Sequence, residues 1–240
     1  MKRQRGVALL LVLWVLALLA TLLAALVGWV QLQNHQAQWQ RQHTQGLLAA
    51  EAGLGMAVLD QLQRDPQRRW LADGQIHALR FDEAQLAVSL RSERGKLDLN
   101  TAPAELLARL LQACGANPSQ ARQLGQALDQ RRGGDQAPLR MIEEVRELPG
   151  MTQALYQKAT PYLTLWSGLA SPDPGLAAPR LRQALNLPQA GPASRDAGPI
   201  LTVTSRATLP GGHTTTLRVT LLLNPSKEGA RPYRVLRWQE

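Results

Sequence analysis

A single cysteine, Cys114, is all the thiol chemistry in this chain of 240 residues, so no intramolecular disulfide can form in any compartment. With no cationic or histidine neighbour in sequence to lower its pKa, Cys114 reads as a small apolar side chain at a helix end. The histidines are equally unhelpful to a catalyst. His35, His43, His77 and His213 are scattered, with no His-Glu-x-x-His pair and no Cys-His ligand spacing, which argues against a zinc site. A phosphate loop, a dinucleotide fingerprint and a Gly-x-Ser-x-Gly nucleophile elbow are also missing. The expectation is a protein that is not an enzyme, with no catalytic residues and no metal ligands. Asp135, Glu143, Glu144 and Glu147 are candidates for a calcium site, which needs about six to eight oxygen ligands, but they have no recognisable ligand spacing and read as solvated helix faces.

What is present begins with charge. The formal net charge is +9, and it is unevenly placed. Lys2, Arg3 and Arg5 precede a long apolar run, residues 31–95 balance seven basic against seven acidic side chains, and residues 165–240 hold nine against four. A uniform nucleic-acid-binding surface does not look like this.

Val7 to Val30 is a run of twenty-four residues whose only polar side chain is Thr21. As a helix it spans about 36 Å, enough to cross a hydrocarbon core of roughly 30 Å with modest tilt. The basic residues ahead of it favour a cytoplasmic N-terminus with the remainder sent across. A cleavable secretory signal has a shorter apolar region; an uncleaved signal anchor stays open as an alternative. The order of elements is sharper: a short basic leader, Gly6, then the apolar helix at once. It resembles the signal of prepilins and pseudopilins, in which a dedicated peptidase cuts after the glycine and leaves the helix in place. The resemblance implies a cut between Gly6 and Val7 and N-methylation of Val7. Most pilins carry a glutamate at the fifth mature position, where it neutralises the terminal amine of the adjoining subunit. This chain has Leu11 there. An unpaired carboxylate in a bilayer costs several kcal/mol, so a subunit without it needs no subunit ahead of it, as at the tip of a filament.

Beyond the span, residues 31–65 read as a helical continuation with Leu47, Glu51, Leu54, Val58 and Leu62 on one largely apolar face, weakened by Gly46, Gly53 and Gly55 and ending at Asp65-Pro66. Residues 66–95 carry strand signals at Ile76–Arg80 and Gln85–Arg94, where Leu86, Val88 and Leu90 alternate with polar residues. Strands return in residues 200–240: Ile200–Ala207, Thr214–Leu223 and Tyr233–Trp238, with Pro210-Gly211-Gly212 as a hairpin turn. Between them lie a helical block, residues 96–165, and a connection rich in Gly, Pro, Ala and Ser, residues 166–199, with a short helix over Pro179–Leu187. Helix starts in the block are marked by Thr101 with Pro103 and Glu105, by Asn117 with Pro118, and by Thr152. The strand-helix-strand order suggests one sheet interrupted by a helical insertion.

Two families resemble this block. Leu-Asp-Leu-Asn-Thr-Ala, Leu97–Ala102, and Leu-Pro-Gly-Met, Leu148–Met151, resemble helix-hairpin-helix modules, including anchored DNA receptors of the competence type, which is the alternative function. Against nucleic acid, Thr152 stands where DNA-gripping hairpins place a second glycine, and residues 96–164 carry eight basic against seven acidic side chains. The same phrases, in order with the leader, Leu97–Pro103, Glu147–Ser167 and the ending Pro232–Trp238, resemble the general secretion pathway protein K family, the K-type minor pseudopilins of type II secretion. That resemblance covers nearly the whole chain. It implies an α+β, pilin-like fold: leader 1–6, transmembrane helix 7–30, its continuation, an antiparallel sheet and a small inserted α-helical domain of helix-hairpin-helix type. It also implies a single-pass protein of the bacterial inner membrane, bulk periplasmic, capping the pseudopilus tip during protein export. Its partners would be the I- and J-type minor pseudopilins, the prepilin peptidase, the secreted substrate and the outer-membrane secretin. No cofactor is expected; some members bind calcium, for which no ligand set carries across. The chain is short for the family, which puts the completeness of the helical insert in question.

Overall fold

The computed structural model describes residues 4–133, 137–189, 196–224 and 232–240, with side chains from Leu11 onward. Helix α1, Gln4–Gln61, is continuous over 58 residues. From Leu11 to Gln42 every residue is exposed, so the first half projects free of the body by about 48 Å at 1.5 Å per residue. The body begins where glycine and alanine begin. The buried stripe is Gly46, Ala49, Ala50, Gly53, Leu54, Ala57 and Val58, whereas Leu47, Glu51 and Leu62 of the expected face lie half-buried at its flank. Small residues win because they let the helix lie close on the sheet: a Cβ at Gly46 would stand 2.4 Å from Thr215 Oγ1, and one at Gly53 would stand 2.3 Å from Ser205 Oγ. The helix stops at Gln61, before the expected Asp65-Pro66. Buried Asp60 is the cause. Its carboxylate accepts the Gln61 and Gln63 side-chain amides at 3.1 and 3.0 Å and the Trp70 backbone N–H at 2.7 Å, which turns the chain back.

Strands β1, Asp73–Phe81, and β2, Ala84–Ser92, form a hairpin after α1. Strands β3, Leu97–Asp98, and β4, Leu163–Thr164, pair in parallel as a small separate ladder. Strands β5, Ile200–Thr208, β6, Thr214–Leu223, and β7, Tyr233–Gln239, complete a five-stranded sheet in the order β1-β2-β5-β6-β7, antiparallel throughout. Leu86, Val88 and Leu90 point to the α1 side with Leu201, Val203, Leu217 and Val219, as period-two alternation requires. β2 ends at Ser92 rather than Arg94, because the Ser92 hydroxyl accepts the Arg94 N–H at 3.0 Å and starts a tight 3-10 turn.

Everything between Ser92 and Leu201, which face each other in the β2-β5 ladder, is an insertion between neighbouring strands. It contains α2, Ala104–Ala113, α3, Pro118–Gly133, α4, Gln153–Ala159, and α5, Pro179–Leu185, around a core of its own that includes Leu99, Leu107, Leu111, Leu124 and Leu155. Asn117 and Thr152 cap their helices as expected, accepting the Gln120 and Leu155 N–H groups. Thr101 does not. Its hydroxyl donates to the Leu169 carbonyl at 2.7 Å, and Pro103 takes the N-cap, because the Thr101 and Ala102 N–H groups already close onto the Asp98 carbonyl. α5 ends at Leu185 rather than Leu187, on Asn186 in the left-handed region at φ 53°.

Candidate assembly site

Two features organise any assembly this chain could enter: the bare helix and the joint that mounts the insertion on the sheet. Gly6 and Val7 lie within α1, and Leu11 is 63% exposed. Along the apolar run Thr21 returns its hydroxyl to the Leu18 carbonyl at 2.8 Å, so that donor is satisfied within the helix. Among the described residues α1 is the helix long and apolar enough to cross a membrane, and it would do so once. Met1–Arg3 of the expected leader lie outside the described residues.

The joint is polar and closed. Glu93, 1% exposed, receives Lys96 Nζ at 2.5 Å, the Thr164 hydroxyl at 2.5 Å and the Thr202 hydroxyl at 2.6 Å, tying the 3-10 turn, β4 and β5 to one carboxylate. Asp98, equally buried, accepts the N–H groups of Asn100 and Gly168 and the Ser167 hydroxyl. The β3-β4 ladder therefore brings the two ends of the insertion together, and Arg237 of β7 adds an ion pair to Glu143 of the insertion. Asp98 and Asn100 belong to the phrase Leu97–Pro103, and Thr164 and Ser167 to Glu147–Ser167, two of the phrases whose order carries the family resemblance in the sequence. Their role was not readable there: an acid beside a lysine looks like a solvated pair until Thr164 and Thr202 are seen to close over it.

Two of the acids raised as calcium candidates are engaged elsewhere, Glu143 with Arg237 and Glu144 at a turn. Glu144 accepts the Met141 and Arg140 N–H groups at 2.9 and 2.8 Å and pairs with Arg131 at 3.1 Å; the two amides, then the guanidinium, hold its carboxyl below the usual carboxylate range. No group of three potential metal-binding side chains occurs among the described residues, and Asp135 lies outside them. Cys114 is buried, which raises its thiol pKa. A depressed carboxyl contributes stability that is present above the unfolded pKa and is lost as pH falls through the folded one. Urea unfolding followed from neutral pH to below about pH 4 should therefore show a midpoint that falls less steeply in Glu144→Gln than in the native chain. Equal slopes would remove Glu144 from the acid response.

The hairpins give DNA little to hold. Thr152 is spent on its helix cap, Gln120 occupies the Gly150 carbonyl at 2.9 Å, and Glu144 fills the amides of Arg140 and Met141. No protein-family model matches the sequence. Type II secretion system protein K of Klebsiella pneumoniae is 32% identical in a 205-residue alignment that takes in 67% of this chain and 62% of that protein. The chain belongs to the protein K family of type II secretion. Its fold agrees: a chain in the crystal structure of the GspK-GspI-GspJ complex from the type 2 secretion system of enterotoxigenic Escherichia coli superposes with a TM-score of 0.58 over 85% of this chain and 98% of that one, at 15% identity. This member of the protein K family spans about three-fifths of the length of its Klebsiella relative. The α+β fold expected from the sequence, a long apolar helix on an antiparallel sheet with a helical insertion, is the one observed.

Proposed function

We propose that this chain is the minor pseudopilin at the tip of a type II secretion pseudopilus. The observation that carries the reading is the exposed apolar helix from Leu11 to Val30, which has no carboxylate to receive the terminal amine of a subunit ahead of it, joined to a body whose insertion is fastened across the sheet. Such a subunit packs its helix against subunits behind it and presents a folded cap forward. Its neighbours are minor pseudopilins of the I and J types, by analogy with the complex just described; the secreted substrate and the outer-membrane secretin lie ahead of it. The basic leader places the N-terminus in the cytoplasm and the body in the periplasm of the inner membrane. The prepilin peptidase cuts between Gly6 and Val7, and Val7 is N-methylated. The chain acts as a structural subunit, its only chemistry being done to it, and the reading calls for no bound cofactor or calcium.

Intact-mass analysis of membrane-extracted protein is expected to find a chain starting at Val7 with one added methyl group. An intact Met1 terminus, or a cut beyond residue 20, would sink the processing step. Copurification of residues 31–240 with I- and J-type pseudopilins lacking their membrane helices tests the tip complex separately, and a partner-free elution counts against it.

A further inference from the structure

Pairing register decides which side chains share the sheet face turned away from α1. On it stand arginines from all five strands, Arg80, Arg91, Arg206, Arg218 and Arg237, with Arg234 beside them at the β7 edge. Arg91 alone has an acid opposite it, Asp73 at the start of β1, to whose carbonyl it donates at 3.0 Å. The other cross-strand partners are Gln85 for Arg80, Thr202 for Arg91, Ala87 and Thr216 for Arg206, Thr204 and Gln239 for Arg218 and Thr220 for Arg237. Sheets commonly set opposite charges across from one another; here, Asp73 apart, uncharged groups fill those places. The carboxylates stay at the border. Glu93 and Glu143 are engaged by Lys96 and Arg237, Asp73 accepts the Gln75 N–H, and Asp82 and Glu83 sit in the hairpin turn at the far end. Arg80, Arg206 and Arg218 are exposed and have no hydrogen-bond or ion-pair partner among the described residues. At its upper end the insertion roofs this face, leaving a cleft of about 160 Å³ with Arg91, Lys96, Arg218 and Arg237 on its walls and Thr202 and Thr220 between them.

We propose that this basic, threonine-rich face and its cleft form a docking site for an acidic segment of another polypeptide, whose carboxylates enter between the arginines. Exposed guanidinium forks such as those of Arg80, Arg206 and Arg218 match a carboxylate in shape and charge. A single-stranded nucleic acid asks for a row of stacking aromatics; Trp166 is the only aromatic ring lining the cleft. Anionic lipid headgroups are out of reach: Thr204 adjoins Ser205, which packs on Gly53, about 35 Å along α1 from the end of the apolar run at 1.5 Å per residue. The proposal stands on the face itself and holds wherever the subunit sits in a filament.

The test uses the full chain in non-ionic detergent micelles and a fluorescein-labelled oligoglutamate, read by anisotropy at low and high salt. Binding is expected at low salt, and the double substitution R206E/R218E should weaken it by roughly tenfold or more while creating affinity for oligolysine. Both positions are exposed, so helix content and melting should stay unchanged; should the double variant fail to fold, R206Q/R218Q gives the loss arm alone. The proposal is overturned if the substitutions leave oligoglutamate binding as it was, if no oligoglutamate binds, if oligothymidylate binds more tightly through the same arginines, or if phosphatidylglycerol vesicles compete it away.

Discussion

Glu93→Ala is expected to destabilise the protein by about 3–5 kcal/mol, the cost of removing one partner from a buried ion pair. The carboxylate is 1% exposed and the Lys96 side chain 15%, so the ammonium left behind would be largely desolvated, facing the Thr202 hydroxyl and no anion. The loss should appear as a melting temperature lower by about 6–20 °C, given roughly 2–4 °C per kcal/mol for a chain of this size. Because the same carboxylate holds Thr164 and Thr202, amide exchange should rise first at β3 and β4 rather than in the β5-β6 ladder. A second change separates charge from packing. Glu93→Gln with Lys96→Met removes both charges and should recover a good part of the stability, since the penalty comes from the orphaned ion. A single Glu93→Ala variant that melts within a degree of the native chain would show the joint to be ornamental.

Gly53→Ala and Gly55→Ala, two positions apart on α1, are expected to change stability in opposite directions. At Gly53 a Cβ would lie 2.3 Å from Ser205 Oγ and 3.0 Å from Val88 Cγ2, both in the sheet core, so the helix must lift and the packing must open; overpacking of this kind costs about 1–3 kcal/mol. At Gly55 nothing lies within 4 Å of the new methyl, and the helix gains the alanine preference of about 1 kcal/mol. Ser205 is the lever. Its hydroxyl is buried with no hydrogen-bond partner among the described residues, so Ser205→Ala removes the obstructing atom without breaking a hydrogen bond, and Gly53→Ala should lose most of its penalty in that background. Chemical denaturation of the four variants measures this; a Gly53→Ala chain as stable as Gly55→Ala would mean that α1 does not lie as close to the sheet as these glycines require.

Both predictions concern places where the sequence misleads when read alone. Gly46 and Gly53 look like weak points of a helix, and by intrinsic propensity they are. Leu47 and Leu62 look like part of the packing face with Leu54 and Val58 because they are large, yet only Leu54 and Val58 are buried. Along the rest of the stripe the sheet inverts that preference: its α1 side already carries leucine and valine, and the close approach of the helix backbone at Gly46 and Gly53 leaves no room for a larger side chain there. The Glu-Arg-Gly-Lys turn at Glu93–Lys96 misleads in the same way. Local spacing shows an acid and a base three residues apart, and the hydroxyls that bury them come from positions 71 and 109 residues away from Glu93. The basic face is hidden more completely, because its arginines run from Arg80 to Arg237 and only the register of five strands places them together.

What the sequence by itself determined were the features carried by local periodicity and by long uniform composition. The apolar run of α1, the alternation of β2, β5 and β6, the caps at Asn117 and Thr152 and the presence of a helical block between strands all follow from neighbours a few residues apart. The tertiary structure alone decided that β2 and β5 are adjacent, that a two-residue parallel ladder closes the insertion, and that α1 seats on glycine. Those outcomes depend on contacts between distant segments, whose free energy is set by shape and desolvation at the meeting surfaces and is not written in either segment alone.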